Sequence, residues 1–128
     1  MNKRQMIRMA GAATLLALAH QANAQTAFPT RPVTIVVPYT AGGPTDGHTR
    51  VLAARLSQMW GQPVVVENRG GAGTLIGTQY VSKAAPDGHT LLFTAYAYTS
   101  NPILRASIPY AADALKPLVH IGSNPLLL

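Results

Sequence analysis

Val33-Thr34-Ile35-Val36-Val37-Pro38-Tyr39-Thr40-Ala41-Gly42-Gly43-Pro44-Thr45-Asp46 is the stretch that decides the fold. Its first five residues are apolar or β-branched without alternation, the pattern of a strand buried on both faces. The glycines at 42 and 43 let the backbone turn sharply and approach a ligand closely. A helical pattern follows. The N–H groups of a helix start have no partner inside the helix, so a glycine turn that opens a helix is a natural anion site.

The pattern continues outward from this turn. Leu52, Leu56 and Met59 recur at i, i+4 and i+7 and predict one face of a helix that ends at Gly61. Pro63 to Val66 reads as a second short strand. Asn68-Arg69-Gly70-Gly71-Ala72-Gly73 is a second glycine-rich turn, and Ile76, Tyr80 and Ala84 mark a second helical face. In Ala85-Pro86-Asp87-Gly88, proline sets φ and glycine takes the position where φ is positive. Thr90 to Thr94 is a third strand, and Val119 to Gly122 reads as a further strand and turn. Strands alternating with helices predict an α/β fold: a βαβαβ unit with a parallel sheet and right-handed crossovers. Ligands bind such sheets at the carboxyl ends of the strands. Two of those loops are glycine-rich, and the third, Thr94 to Asn101, carries hydroxyls and two tyrosines.

The first residues belong to a different register. Lys3, Arg4 and Arg8 precede an apolar run from Met9 to Ala19, and Ala22-Asn23-Ala24 fits a cleavage site. These are the three parts of a secretory signal peptide (residues 1–24); the apolar run is about half the roughly 20 residues that span a bilayer. Residues 25–128 then form the mature part, with seven Lys or Arg against four Asp or Glu and a net charge of +3. Those charges are scattered, which argues against a nucleic-acid partner. There is no cysteine, hence no disulfide and no lipoprotein anchor. The chain reaches its end within Pro125-Leu126-Leu127-Leu128. These leucines read either as a docked last strand or, the favoured expectation, as the front part of a longer protein.

Candidate chemistry is sparse. Asp46 is expected as a helix N-cap, or as a group that orients the glycine turn or contacts a ligand amine. Thr40 and Thr45 can cap or donate hydroxyls to a carboxylate. The glycine turn at 70–73 is either a second anion-facing loop or a tight connection. It is neither a P-loop nor a dinucleotide fingerprint. His20, His48, His89 and His120 share no metal-ligand spacing, so no metal or cofactor is expected. The four acidic residues form no pair, and no serine stands in a nucleophile elbow, so no catalytic residues are assigned. Tyr96 and Tyr98 alternate and are read as sharing a face, one lining a cleft and the other packing.

The motifs taken together resemble a family. Phe28-Pro29-x-Arg31-Pro32-Val33, the Val-Val-Pro-Tyr-x-Ala-Gly-Gly-x-x-Asp turn and Gly61-Gln62-Pro63-Val64-Val65-Val66-Glu67-Asn68-Arg69 come first. Gly71-Ala72-Gly73-x-x-Ile76-Gly77 and Ala85-Pro86-Asp87-Gly88-x-Thr90-Leu91-Leu92 follow, then Asn101-Pro102, Ile108-Pro109-Tyr110 and Asp113-x-x-x-Pro117-Leu118. In this order and spacing they resemble the Bug (TctC-like) substrate-binding proteins of tripartite tricarboxylate transporters. The resemblance implies a periplasmic, two-lobed Venus-flytrap binder, a monomer at full length. Such a protein hands a carboxylated solute to membrane permease subunits and performs no catalysis. It further implies that two loops hold the carboxylate through backbone N–H groups, hydroxyls and water. Carried onto this chain, these are Tyr39, Thr40, Ala41, Gly42, Gly43, Thr45 and Asp46, and Thr94, Ala95, Tyr96, Tyr98 and Thr99. The chain would then be a truncated portion of the first lobe, expected to bind weakly or not at all by itself.

Three departures from the family pattern bear on the ligand. Gly70-Gly71-Ala72-Gly73-Thr74-Leu75-Ile76-Gly77 stands where Pro-Gly-Ala-Gly-Gly-Asn-Ile-Gly is frequent. Pro44 replaces a small residue, and the Thr94–Asn101 loop is one residue short with Tyr96 and Tyr98 in it. The tyrosines suggest a bulkier or aromatic carboxylate. Two other classes compete with the transport reading: a periplasmic receptor that feeds a sensor, and an exported α/β enzyme, for which no nucleophile and base converge.

Overall fold

The computed structural model describes residues 28–123. The expected leader, with His20, and the terminal Pro125-Leu126-Leu127-Leu128 lie outside the described residues. The compact unit begins at Arg31; Phe28–Thr30 precede it without regular structure.

Three parallel strands form one sheet in the order β2-β1-β3. They are β1 (Val33–Val37), β2 (Val64–Asn68) and β3 (Thr90–Leu92). Val33 to Val37 pair in register with Val64 to Asn68, and Thr34 to Val36 pair with Thr90 to Leu92. The first strand is thus central, and Val33, Val36 and Val37 have no exposed surface. The ladder runs on past the strand ends: Arg69 N–H donates to Val37 O (2.9 Å) and Phe93 N–H to Val36 O (2.9 Å).

Helix α1 (Pro44–Trp60) joins β1 to β2, and α2 (Leu75–Ser82) joins β2 to β3 after a 3₁₀ turn at Ala72–Thr74. Because β2 and β3 flank β1, the two connections run in opposite directions, and right-handed crossovers place their helices on opposite faces. That covers β1 on both sides. Gly61 ends α1 in the left-handed region at φ +65, its N–H donating to Ser57 O. Ser57 Oγ accepts Val64 N–H (2.8 Å) and ties the helix end to β2. A third helix, α3 (Ala97–Leu104), follows β3.

Several details differ from expectation. The third strand stops at Leu92, and much of the predicted Thr94–Asn101 loop is the start of α3, a short helix with Pro102 inside it and no apolar period to announce it. Both helical faces are rotated from the expected ones. The buried side of α1 is Asp46, Thr49 and Ala53, with Leu52 and Leu56 half-buried, while Met59 is 65% exposed. The buried side of α2 is Gly77, Thr78 and Val81, with Ile76 and Tyr80 exposed. The reason is that small and threonine side chains face the sheet. Thr49 and Thr78 return their hydroxyls to the carbonyls of Thr45 (2.6 Å) and Thr74 (2.9 Å), so their outer surface is apolar. Val119 to Gly122 forms no strand: among the described residues it pairs with none, and a strand exists only by pairing.

Gly77 shows how closely these layers approach. A Cβ built there would sit 2.7 Å from Arg69 O and 2.9 Å from Pro38 Cβ, inside real contact distance. Gly77→Ala should therefore destabilise the fold by about 1–3 kcal/mol through overpacking. Urea unfolding measures it; an unchanged midpoint would mean that Pro38 and Arg69 give way freely.

Candidate functional site

A 2-1-3 parallel order places a topological switch point between β1 and β3, where an open α/β sheet takes its ligand outside the carboxyl ends of the strands. The loops after β1 and β3 meet there. Ala95 N–H donates to the Tyr39 hydroxyl (3.2 Å), which also lies 3.4 Å from Thr94 Oγ1. The glycine turn after β2 comes alongside: the backbone of Gly70 approaches that of Tyr39 and Thr40 so closely that a Cβ would touch both. A concavity of about 460 Å³ opens between these loops and α3, with Tyr39, Thr40, Gly71, Tyr96, Asn101 and Arg105 in its wall. That volume falls in the range of small-molecule sites.

Asp46 builds the loop after β1. It is not the N-cap of α1; Gly43 holds that position in extended conformation, with Pro44 just after it, and no side chain caps the helix. Neither Thr40 nor Thr45 caps it. Asp46 lies in the first turn with 3% exposure, and both its oxygens are engaged. Oδ2 accepts Gly42 N–H (2.9 Å) and Arg50 Nε–H (2.9 Å); Oδ1 accepts Asn68 Nδ2–H (3.0 Å). Asn68 Nδ2 also reaches Tyr39 O (3.3 Å). One carboxylate thus ties the glycine turn, the helix and the end of β2. The Arg50 guanidinium, the Gly42 N–H and the Asn68 amide hold its pKa down to about 2 from the ordinary 3.8.

The expected site residues divide accordingly. Tyr39, Thr40 and Tyr96 line the concavity. Thr94, Ala95 and Thr99, again with Tyr96, line a second hollow of about 580 Å³ beside His120 and Ser123. Ala41, Gly42, Gly43, Thr45 and Asp46 lie in the turn and helix start without facing either hollow. Tyr96 and Tyr98 do not share a face, because both fall at the start of a helix. Tyr96 is 75% exposed at the hollows. Tyr98 stacks on Tyr110, centroids 6.0 Å apart, and its hydroxyl meets Ala112 O (3.0 Å) and Leu115 N (3.2 Å). Asn101 and Arg105 were not anticipated as site residues. Their spacing of four on a helix was the available signal, hidden because the helix was read as loop. His48 and His120 are exposed and His89 is buried. Among the described residues no three His, Cys, Asp or Glu gather as metal ligands, and no helix is long and apolar enough to cross a membrane.

A parallel α/β sheet with loop-built hollows at its carboxyl edge defines a class of small-molecule binders. Residues 48–128 match the model of the tripartite tricarboxylate transporter family receptor, TctC, and the chain belongs to that family. It is 45% identical over 107 residues to the protein BugT of Bordetella pertussis, covering 79% of this chain and 32% of that protein. Among solved structures, one described as a periplasmic transporter superposes with a TM-score of 0.63 at 42% identity, covering 67% of this chain and 29% of that one. A Rhodopseudomonas palustris protein solved with adipate, Rpa4515, gives 0.63 at 40% identity over 66% of this chain and 29% of that one. The chain spans about a third of the length of the curated relatives it matches.

The lowered pKa of Asp46 has a direct consequence for acid stability. A carboxyl with a depressed folded pKa contributes stability that is complete above its ordinary value and is lost as pH falls through the folded one. The loss should fall between pH 3.8 and about 2. Asp46→Asn should melt lower than wild type at neutral pH and show a flatter decline across that window. Thermal melts over a pH series decide it; parallel curves for the two proteins would remove Asp46 from the acid transition.

Proposed function

We propose that this chain is the N-terminal part of the first lobe of a periplasmic solute-binding protein, exported by a signal peptide cleaved after Ala24. It takes up a carboxylated small molecule for the permease subunits of a tripartite tricarboxylate-type transporter. It binds and delivers without catalysis. The observation that carries the reading is the Tyr39–Ala95 bond, which joins the loops after β1 and β3 at the switch point, between two hollows that share Tyr96. Tyr39, Thr40 and Tyr96 on one hollow and Thr94, Ala95, Tyr96 and Thr99 on the adjoining one form the solute-facing surface, and the Ala95 N–H joins the two loops. The residues at 41–46 hold the first loop in shape, and Tyr98 anchors the second. Neutral donors of this kind suit a carboxylate that must later be released. The adipate held by the similar R. palustris protein supports the ligand class.

Isothermal titration of the full-length two-lobed protein, of which we propose this chain is the N-terminal part, against succinate, adipate, citrate and benzoate tests the reading; this chain by itself should bind them weakly or not at all. Binding of at least one with a 1:1 stoichiometry is expected, weakened by Tyr39→Phe, which removes the hydroxyl that joins the loops. No heat with any of the four, from a folded sample, would overturn it.

A further inference from the structure

We propose that Arg105 is a specificity-determining residue of this site, pairing with an ionised acid group of the solute. The inference rests on the solute-binding reading above and adds to it a charged contact that a site built of backbone N–H groups and hydroxyls does not require. Among the described residues lining the 460 Å³ hollow, Arg105 is the sole charged one. The remaining wall is hydroxyl, amide, glycine and apolar surface, so an anion entering it meets one cation and no carboxylate.

The guanidinium is aimed rather than loose. Arg105 Nε–H donates to Asn101 Oδ1 (3.1 Å), and Arg105 N–H donates to Asn101 O (3.1 Å). Asn101 is itself fixed. It is 7% exposed, and its Nδ2 donates to Gly73 O (3.0 Å) and Thr74 Oγ1 (3.1 Å). The arginine head therefore lies against Gly73, where a Cβ would collide with Nη2. Gly73 sits at φ +66, a conformation that glycine takes without strain.

Its partner distinguishes Arg105 from the arginines that meet acids. Arg31, Arg50 and Arg69 each reach a carboxylate, of Asp87 (2.7 Å), Asp46 (2.9 Å) and Glu67 (2.7 Å). Arg105 meets an amide oxygen, which sets its direction without neutralising its charge. A fixed guanidinium fork offers two parallel N–H groups to a carboxylate. The N–H of Gly42 in the turn after β1 is meanwhile taken by Asp46, so that donor is not offered to a solute.

Arg105→Gln and Arg105→Lys in the full-length protein test this, with titration of the tightest-bound acid among succinate, adipate, citrate and benzoate, and of its full amide. Arg105→Gln should weaken the acid about ten- to a hundredfold, the loss of one charge-assisted pair. It should leave the amide unchanged and flatten the salt dependence of acid binding. Arg105→Lys should keep the preference for the acid at reduced affinity. An acid-to-amide ratio in Arg105→Gln equal to wild type would overturn the inference while leaving solute binding intact. A wild type that binds none of the acids overturns the solute-binding reading and this one with it. Should Arg105→Gln not fold, unaltered acid affinity in Arg105→Lys together with salt-independent wild-type binding would overturn it equally.

Discussion

A strand without an exposed face must be paired on both edges and covered on both sides. The β1 strand meets that constraint, and most of the structure follows from it. Its two neighbours are reached by crossovers in opposite directions, so α1 and α2 cover opposite faces. The next consequence is functional. The chain leaves β1 and β3 side by side at the same edge, and the loops beyond them are brought close enough for Tyr39 to accept the Ala95 N–H. The hollow is thus a product of strand order.

Within that frame, Asp46 determines what the first loop can do. An open helix start would offer its N–H groups to any anion. Here the Asp46 carboxylate, in the first turn, takes the N–H of Gly42 just ahead of the N-cap and gathers Arg50 and Asn68 around it. The glycine turn is held rigid and its charge is balanced internally. What remains for a ligand on this side is the rim, Tyr39 and Thr40, rather than the turn itself.

Much of this was legible before any coordinates. The unbroken β-branched run announced a doubly covered strand, and Gly61 and Gly88 marked a helix end and a turn because both take positive φ. The helical faces were only partly legible, since hydrophobic periodicity sees leucine and methionine but not a back-bonded threonine; Leu52 and Leu56 are half-buried, and the fully buried positions are others. Thr49 and Thr78 carry hydroxyls yet are fully buried. The same blindness hid α3. Its first turns, Ala97-Tyr98-Thr99-Ser100-Asn101, have the composition of a loop, and Pro102 reads as a break. With the helix unseen, nothing placed Asn101 beneath Arg105.

Recognition of an acid by neutral donors and by a fixed cation are different physical solutions. Neutral donors can be matched by water, so discrimination between an ionised acid and an amide of the same shape is small. A guanidinium held by an uncharged partner stays unneutralised and favours the ionised form over the amide. The Asn101 amide is suited to this task, because a carboxylate in its place would pair with Arg105 and cancel the attraction. A serine or threonine there would lack the second arm that reaches Gly73 O and Thr74 Oγ1. In the proposed site, amide, glycine and arginine therefore form one device: the amide aims the charge, the glycine makes room for it, and the absence of acid among the described residues of the wall leaves it available to a solute.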